Sequence, residues 1–337
     1  MTESVPGLDK TRDVSVIIPS NLDLRFDLVK HCLNCLYRNG HQGEAVVGVW
    51  GGHDKIAALQ SFCTSLSSKI RVISQDEAIR FTARIQELAA QTSGKYIVKT
   101  GDDDFLMPPT LESLVSVVEQ DPGVFCVQGR MLTIAFDEDP VFRFSMLPLW
   151  SAPEPDRLAR YAEYCKHTGM LFHAMFRRAD FIKRYTWMDE TMAHTKNHVW
   201  FDARGELFTI VRGRFVIVEE SFLLRGKHPA NTSRIFRRDF SDETLPFFLL
   251  SANFTPTYKF FESQVFRLFA SVGVDVAKPE ARRIVLTCLL KVLQGGVFGR
   301  TDAMSQGDVR PRAILDQRPL HPVLTSVLTM LVETKVV

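Results

Sequence analysis

Four short apolar runs, Val14 to Ile18, Ala45 to Trp50, Ile70 to Ile73 and Tyr96 to Lys99, alternate along the first third of the chain with stretches of helical spacing. Runs of this length, rich in β-branched residues, suit strands covered on both faces, as in a parallel sheet. Between them lie Asp23 to Tyr37, Lys55 to Leu66 and Ala78 to Gln91. The first of these places Leu24, Leu28, Cys32 and Leu36 at helical intervals and stops near Asn39-Gly40, a helix C-terminal signal. The order β-α-β-α-β-α-β leaves few topologies. It predicts an α/β fold with a doubly wound, mostly parallel sheet and helices on both faces.

In such sheets ligands gather outside the carboxyl ends of the strands. Pro19-Ser20 closes the first run, Gly51-Gly52 the second, and Gly101-Asp102-Asp103-Asp104 the fourth. Pro108-Pro109 then opens a helix over Thr110 to Glu119, since proline is tolerated in a first helical turn. Beyond it the pattern turns β-rich from Val124 to Phe144. Arg157 to His167 reads as a helix, Phe172 to Phe176 and Phe215 to Val218 as strands, and Trp200 to Val211 as a helix between them. Glu262 to Ser271 and Arg282 to Leu293 are helical. These changes predict a catalytic domain over residues 12–230 and a helical appendage over residues 231–337.

Three consecutive aspartates after a buried strand repel one another, and a divalent cation relieves that repulsion. Hard oxygen ligands suit Mn²⁺ or Mg²⁺, whose shell is completed by water and substrate phosphates. An acidic helix N-terminus is the alternative role for such a cluster, but its place at a strand end favours a ligand site. Among the histidines, His173, His194 and His198 show no metal-ligand spacing.

Composition excludes other classes. The chain of 337 residues has 41 basic and 39 acidic side chains, a net charge of +2, too balanced for bulk electrostatic binding of nucleic acid. No run of about 18 apolar residues marks a membrane span. The six cysteines are scattered and the N-terminus is polar, so a cytoplasmic protein with reduced thiols is expected. Cys32 and Cys35 form a CxxC inside a helix rather than at its start, where packing is the expected role. The apolar end, His321 to Val337, suits a buried helix, and the sequence leaves peripheral membrane contact and homo-oligomerisation open.

Val14-Ser15-Val16-Ile17-Ile18-Pro19-Ser20 resembles the opening strand of glycosyltransferase family 2 proteins with the GT-A fold. Gly94 to Pro108, with Asp102-Asp103-Asp104 inside it, resembles that family's DXD metal motif and the proline-initiated helix after it. The resemblance extends over Asp13 to His228 and implies transfer of a sugar from a nucleoside-diphosphate donor to a hydroxyl acceptor, with inversion. It implies donor contacts from Pro19, Ser20, Gly51, Asp54, Arg84, Asp102 and Asp103. It implies a Mn²⁺ or Mg²⁺ ion on Asp103 or Asp104 with His228. Trp200-Phe201-Asp202 resembles the family's "ED" helix, which makes Asp202 the general base. Trp200 and Arg177 are candidates for the acceptor side, where aromatic rings stack on sugars. A glycan or glycolipid acceptor made at the cytoplasmic face of a membrane follows by analogy.

The chain departs from the family in two places. Gly51-Gly52-His53-Asp54 stands where an acidic turn is usual, and Phe201 stands where the first acid of the "ED" pair is usual. Two alternatives therefore stand beside the transferase: a nucleotidyltransferase, and a non-catalytic nucleotide-sugar-binding or scaffold protein that keeps the fold. Pro19-Ser20-Asn21-Leu22 lacks the glycine-rich basic loop of the former, and the intact aspartates speak against the latter.

Overall fold

The computed structural model describes residues 10–135, 143–146, 151–167, 171–192, 198–227 and 254–287. Its first half is the alternation read above: β1 (Val14–Asn21), α1 (Leu22–Arg38), β2 (Ala45–Trp50), α2 (His53–Leu66), β3 (Ile70–Ser74), α3 (Phe81–Gln91) and β4 (Tyr96–Lys99). These four strands are parallel and lie in the order β3-β2-β1-β4. The chain thus winds outward from β1 to β3 and then returns to the other side of β1. That reversal makes the gap between β1 and β4 the switch point of the sheet.

A three-residue strand, β5 (Asp104–Leu106), leads into α4 (Pro108–Gln120). Then follow β6 (Val124–Ala135), β7 (Arg143–Met146), α5 (Arg157–His167), β8 (Met175–Arg177), α6 (Arg178–Met192), α7 (His198–Arg212), β9 (Arg214–Lys227) and α8 (Phe254–Ser271). In this half the sheet becomes mixed. β8 is antiparallel to β4 and to β6, β9 is parallel to β6, and β5 is antiparallel to β9. The sheet is therefore all parallel over β1 to β4 and mixed beyond them, where β6 and β9 still run parallel.

Alternation along the strands distributes the core to both faces. Val14, Val16 and Ile18 of β1 join Val47, Val98 and the apolar sides of α1, α2 and α4. Ile17, Val46 and Ile97 point the other way, into a cluster with α3 and the helices α5 to α8. Tyr161 of α5 meets Phe269 of α8 edge to face at 5.1 Å, and Phe261, Val265 and Val285 belong to that same cluster. Among the described residues, then, the segment beyond 254 shares the core of the sheet's helical layer. A further helical stretch, 279–287, completes the described chain.

One helix face differs from its expected phase. Leu24 is 58% exposed, while Leu22, Arg25, Val29, Cys32 and Leu36 are buried. The cause is local: Arg25 has φ −138° and ψ 23°, outside helical values, and this break rotates the first turn relative to the rest of α1. The stretch 178–192, to which the sequence reading assigns no element, is helix α6. It buries Phe181, Tyr185 and Met188, and with them the cationic side chain of Arg184. No helix of the described residues is long and apolar enough to cross a membrane.

Candidate active site

The three aspartates sit at the switch point, and all are buried: Asp102 is 4%, Asp103 7% and Asp104 5% exposed. Their loop leaves β4 under tight steric control. A Cβ on Gly101 would lie 2.7 Å from carboxylate oxygens of both Asp103 and Asp104, so only glycine lets those side chains fold back over the strand end. From beneath, the Cys32 thiol of α1 lies 3.0 Å from the Asp102 carbonyl oxygen and 3.2 Å from that of Asp104. Burial, and then the nearby carboxylates, push that thiol far above its ordinary range, so it stays protonated. Cys32 and Cys35 are both buried on α1, as their spacing within a helix predicts.

Each carboxylate has a distinct set of partners. Asp102 accepts hydrogen bonds from the Ser20 hydroxyl at the end of β1 (2.7 Å) and from Arg25 Nη1 (2.5 Å). The same Arg25 nitrogen lies 3.2 Å from Asp103 Oδ2. Asp104 accepts from the backbone N–H of Gly226 (3.2 Å) and of Gly101 (3.3 Å), and is paired across the ladder with Arg225. Burial raises the pKa of Asp102, partly offset by Arg25. Burial also raises that of Asp104, reinforced by Asp103 and opposed by Arg225 and Lys99.

His173 completes this side. Its Nε2 is 3.6 Å from Asp104 Oδ2, and its Nδ1 is 3.3 Å from the Lys99 carbonyl oxygen. Burial, Lys99 and Arg225 hold the imidazole well below its usual pKa, so the contact with Asp104 is not an ion pair. The Lys99 ammonium lies 3.1 Å from the centroid of the Phe172 ring, which stacks on Phe81 at 6.4 Å.

The ends of β2 and β3 form the neighbouring wall. Gly51 has φ +125°, a conformation that favours glycine. Its neighbour Gly52 donates its N–H to Asp23 Oδ1 (3.2 Å), and Lys55 reaches the same carboxylate (3.5 Å). Asp23 of α1 is therefore an acid that meets this turn; Asp54 is exposed in the first turn of α2. Arg84 stacks on Trp50 at 3.8 Å and donates to the carbonyl of Asp76 (3.0 Å), holding the loop after β3.

Ser20, Asp102, Asp103 and Asp104 thus form one constellation, flanked by Pro19 at the end of β1 and by Gly51 and Arg84. Arg177 lies elsewhere. It pairs with Tyr96 at the opposite end of β4, where its guanidinium donates to the carbonyls of Val124 (2.6 Å) and Val118 (2.7 Å). Trp200 and Asp202 belong to α7, but their side chains lie outside the described part of the chain. His228 lies outside the described residues. Arg25, Asp23, Lys99, His173 and Arg225 were not foreseen. Helical spacing alone gives no signal for Arg25, whose turn toward the aspartates comes with a break in the dihedrals of α1.

Among the described residues no group of three His, Cys, Asp or Glu side chains is arranged to hold a metal ion. The donor set nonetheless fits a hard divalent cation of the kind bound by one or two carboxylates and completed by phosphate oxygens and water. Burial is the first cause of the raised pKa values of Asp102 and Asp104, with the Asp103 carboxylate adding to it, and a bound cation would favour the charged form of both.

Comparisons with known proteins bear on this geometry. Residues 15–185 match the family described as glycosyl transferase family 2. No curated protein matches the chain. Among solved structures, TarS of S. aureus (residues 1–349) aligns at 13% identity and TM-score 0.46, covering 96% of this chain and 90% of that one. A mannosyltransferase from Pyrobaculum calidifontis, solved with GDP-Man and Mn²⁺, aligns at 14% identity and TM-score 0.43, covering 96% and 86%. The family match spans the four parallel strands, the turn after β2, the three aspartates and β8, and it takes in half the chain. The chain belongs to glycosyl transferase family 2: it is a glycosyltransferase with a GT-A-like α/β fold.

Proposed function

We propose that the chain transfers a sugar from a nucleoside-diphosphate donor to a hydroxyl of a glycan or glycolipid, with inversion and with a divalent metal. The observation that carries this reading is the meeting of Ser20, Asp102, Asp103 and Asp104 at the switch point of the sheet. That is where α/β sheets bind nucleotides.

In this reading Trp50, Arg84 and the turn at Gly51 flank the nucleoside, and Asp102, fixed by Ser20 and Arg25, meets the ribose. Asp103 or Asp104 would hold Mn²⁺ or Mg²⁺, with His228 joining the shell. When bound, the ion neutralises the charge that gathers on the departing diphosphate. Asp202 of α7 accepts the proton of the acceptor hydroxyl as its oxygen bonds to the anomeric carbon. The bond from that carbon to the diphosphate oxygen breaks at the same time, and one displacement inverts the configuration. Trp200 stands on the acceptor side. The catalytic domain spans residues 12–230, and the protein works at the cytoplasmic face of a membrane.

Calorimetry with a panel of nucleoside diphosphates, with and without Mn²⁺, tests the donor site. Metal-dependent binding of one nucleotide, weakened in Asp104→Ala, is expected. If no nucleotide binds under any condition, the transferase reading gives way to a scaffold that keeps the fold.

A further inference from the structure

We infer that Arg25 is a resident counter-ion of the aspartate loop. It holds Asp102 and Asp103 in place before the donor arrives and makes stable metal binding depend on the nucleotide. The inference rests on the donor-site reading given above but concerns a residue outside the family's motif.

The geometry is specific. Arg25 is 8% exposed, and a single nitrogen, Nη1, bridges two carboxylates: 2.5 Å to Asp102 Oδ1 and 3.2 Å to Asp103 Oδ2. A divalent cation held by Asp103 would meet this guanidinium across the same carboxylate. Two cations so placed repel strongly in a site of low water content. The backbone reinforces the arrangement. Arg25 leaves helical dihedrals inside α1, and that break turns its side chain inward to the loop while Leu24 is left exposed.

Charge then sets the order of loading. Without donor, the guanidinium already relieves the repulsion between Asp102 and Asp103, and a metal ion gains little. A nucleoside diphosphate brings phosphate charge that attracts the metal and offsets Arg25. Binding of metal and nucleotide is therefore coupled, and by linkage the coupling is reciprocal. Arg25 acts here as a positioning residue, with no contact to the reacting atoms required.

The test is a titration of Mn²⁺ followed by the electron paramagnetic resonance of the free ion. It is made on the full chain and on Arg25→Met and Arg25→Lys, without and with nucleoside diphosphate. Wild type is expected to bind Mn²⁺ alone weakly and to tighten roughly tenfold or more with nucleotide, given the charges involved. Arg25→Met is expected to bind Mn²⁺ alone roughly tenfold more tightly, with the nucleotide enhancement reduced, while Arg25→Lys stays near wild type. Equal Mn²⁺ affinity in wild type and in an Arg25→Met protein that still melts cooperatively overturns the inference.

Arg25→Gln serves as the second variant should the methionine protein not fold. If neither folds, Arg25 is a structural part of the loop and the inference is dropped. Absence of nucleotide binding to wild type sinks the donor reading instead. The comparison of Mn²⁺ alone still decides the role of Arg25.

Discussion

The guanidinium of Arg84 lies 3.8 Å from the centroid of the Trp50 ring, joining the end of β2 to the loop after β3. Such a contact contributes about 0.5–2 kcal/mol when partly desolvated. Replacing Trp50 by leucine should lower stability to chemical denaturation by an amount in that range. Hydrogen exchange should quicken in the loop whose Asp76 and Glu77 carbonyls Arg84 holds, and less elsewhere. Unchanged exchange in that loop would mean that the stack is incidental.

Gly101 is expected to tolerate no side chain. In Gly101→Ala the new methyl meets the carboxylates of Asp103 and Asp104, which must swing away. Nucleotide binding should weaken roughly tenfold or more, as small displacements in a preorganised site do. Stability should fall by only about 1–3 kcal/mol, the usual cost of overpacking. Calorimetry beside thermal melting separates the two effects.

Asp104 makes stability depend on pH in the direction opposite to an ordinary ion-paired carboxylate. Burial raises its folded-state pKa above the unfolded value near 4, so the native state binds the proton more tightly. Stability from this group is present at low pH and is lost as pH rises through the raised pKa. Without metal, Asp104→Asn should therefore be more stable than wild type at neutral pH, with the difference shrinking toward pH 4. An asparagine variant that is less stable at neutral pH contradicts the assignment.

Glu44 carries the opposite sign. Burial works against its charge. Hydrogen bonds from the Ser15 hydroxyl, the N–H groups of Ser93 and Gly94, and the Ser93 hydroxyl outweigh that and hold its pKa at about 2. Its contribution is full above the ordinary glutamate value and is lost as pH falls from there toward about 2. Glu44→Gln should flatten the acid limb of a stability-versus-pH curve and leave nucleotide binding intact, since these contacts lie at the other end of the strands.

Asp202, as base, is tested by asparagine. Turnover should fall by roughly 10²–10⁴-fold, the range for loss of a general base, while donor affinity measured by calorimetry is retained. A variant that loses donor binding in parallel with turnover would point to a structural role for Asp202 within α7.

The parallel half of the sheet was readable because its strands are short, mostly apolar and β-branched runs alternating with stretches of helical spacing. The placement of Asp102 to Asp104 followed from that reading with no knowledge of side-chain contacts. Three features were not readable. β5 spans only Asp104–Leu106, too short to carry a period, and exists because β9 pairs with it. Helix α6 buries a charged residue, Arg184, among its aromatics, which blurs the apolar face that marks a helix. Arg25 was hidden because a periodic reading assumes regular dihedrals, and its departure from them is what turns it toward the aspartates. The turn after β2 shows the converse. Besides Asp54, the acid expected there, the turn is met by Asp23 of α1, which accepts the Gly52 N–H and which no local spacing pointed to.

The seat of the aspartate loop on Cys32 gives the protein a built-in clock. The thiol is 4% exposed and lies beneath the carbonyls of Asp102 and Asp104. A thiol reagent reaches it only through states in which that loop has lifted from α1. Labelling of Cys32, followed by peptide mapping, therefore counts the openings of the loop. Its slowing by nucleotide and metal would measure how firmly they close it.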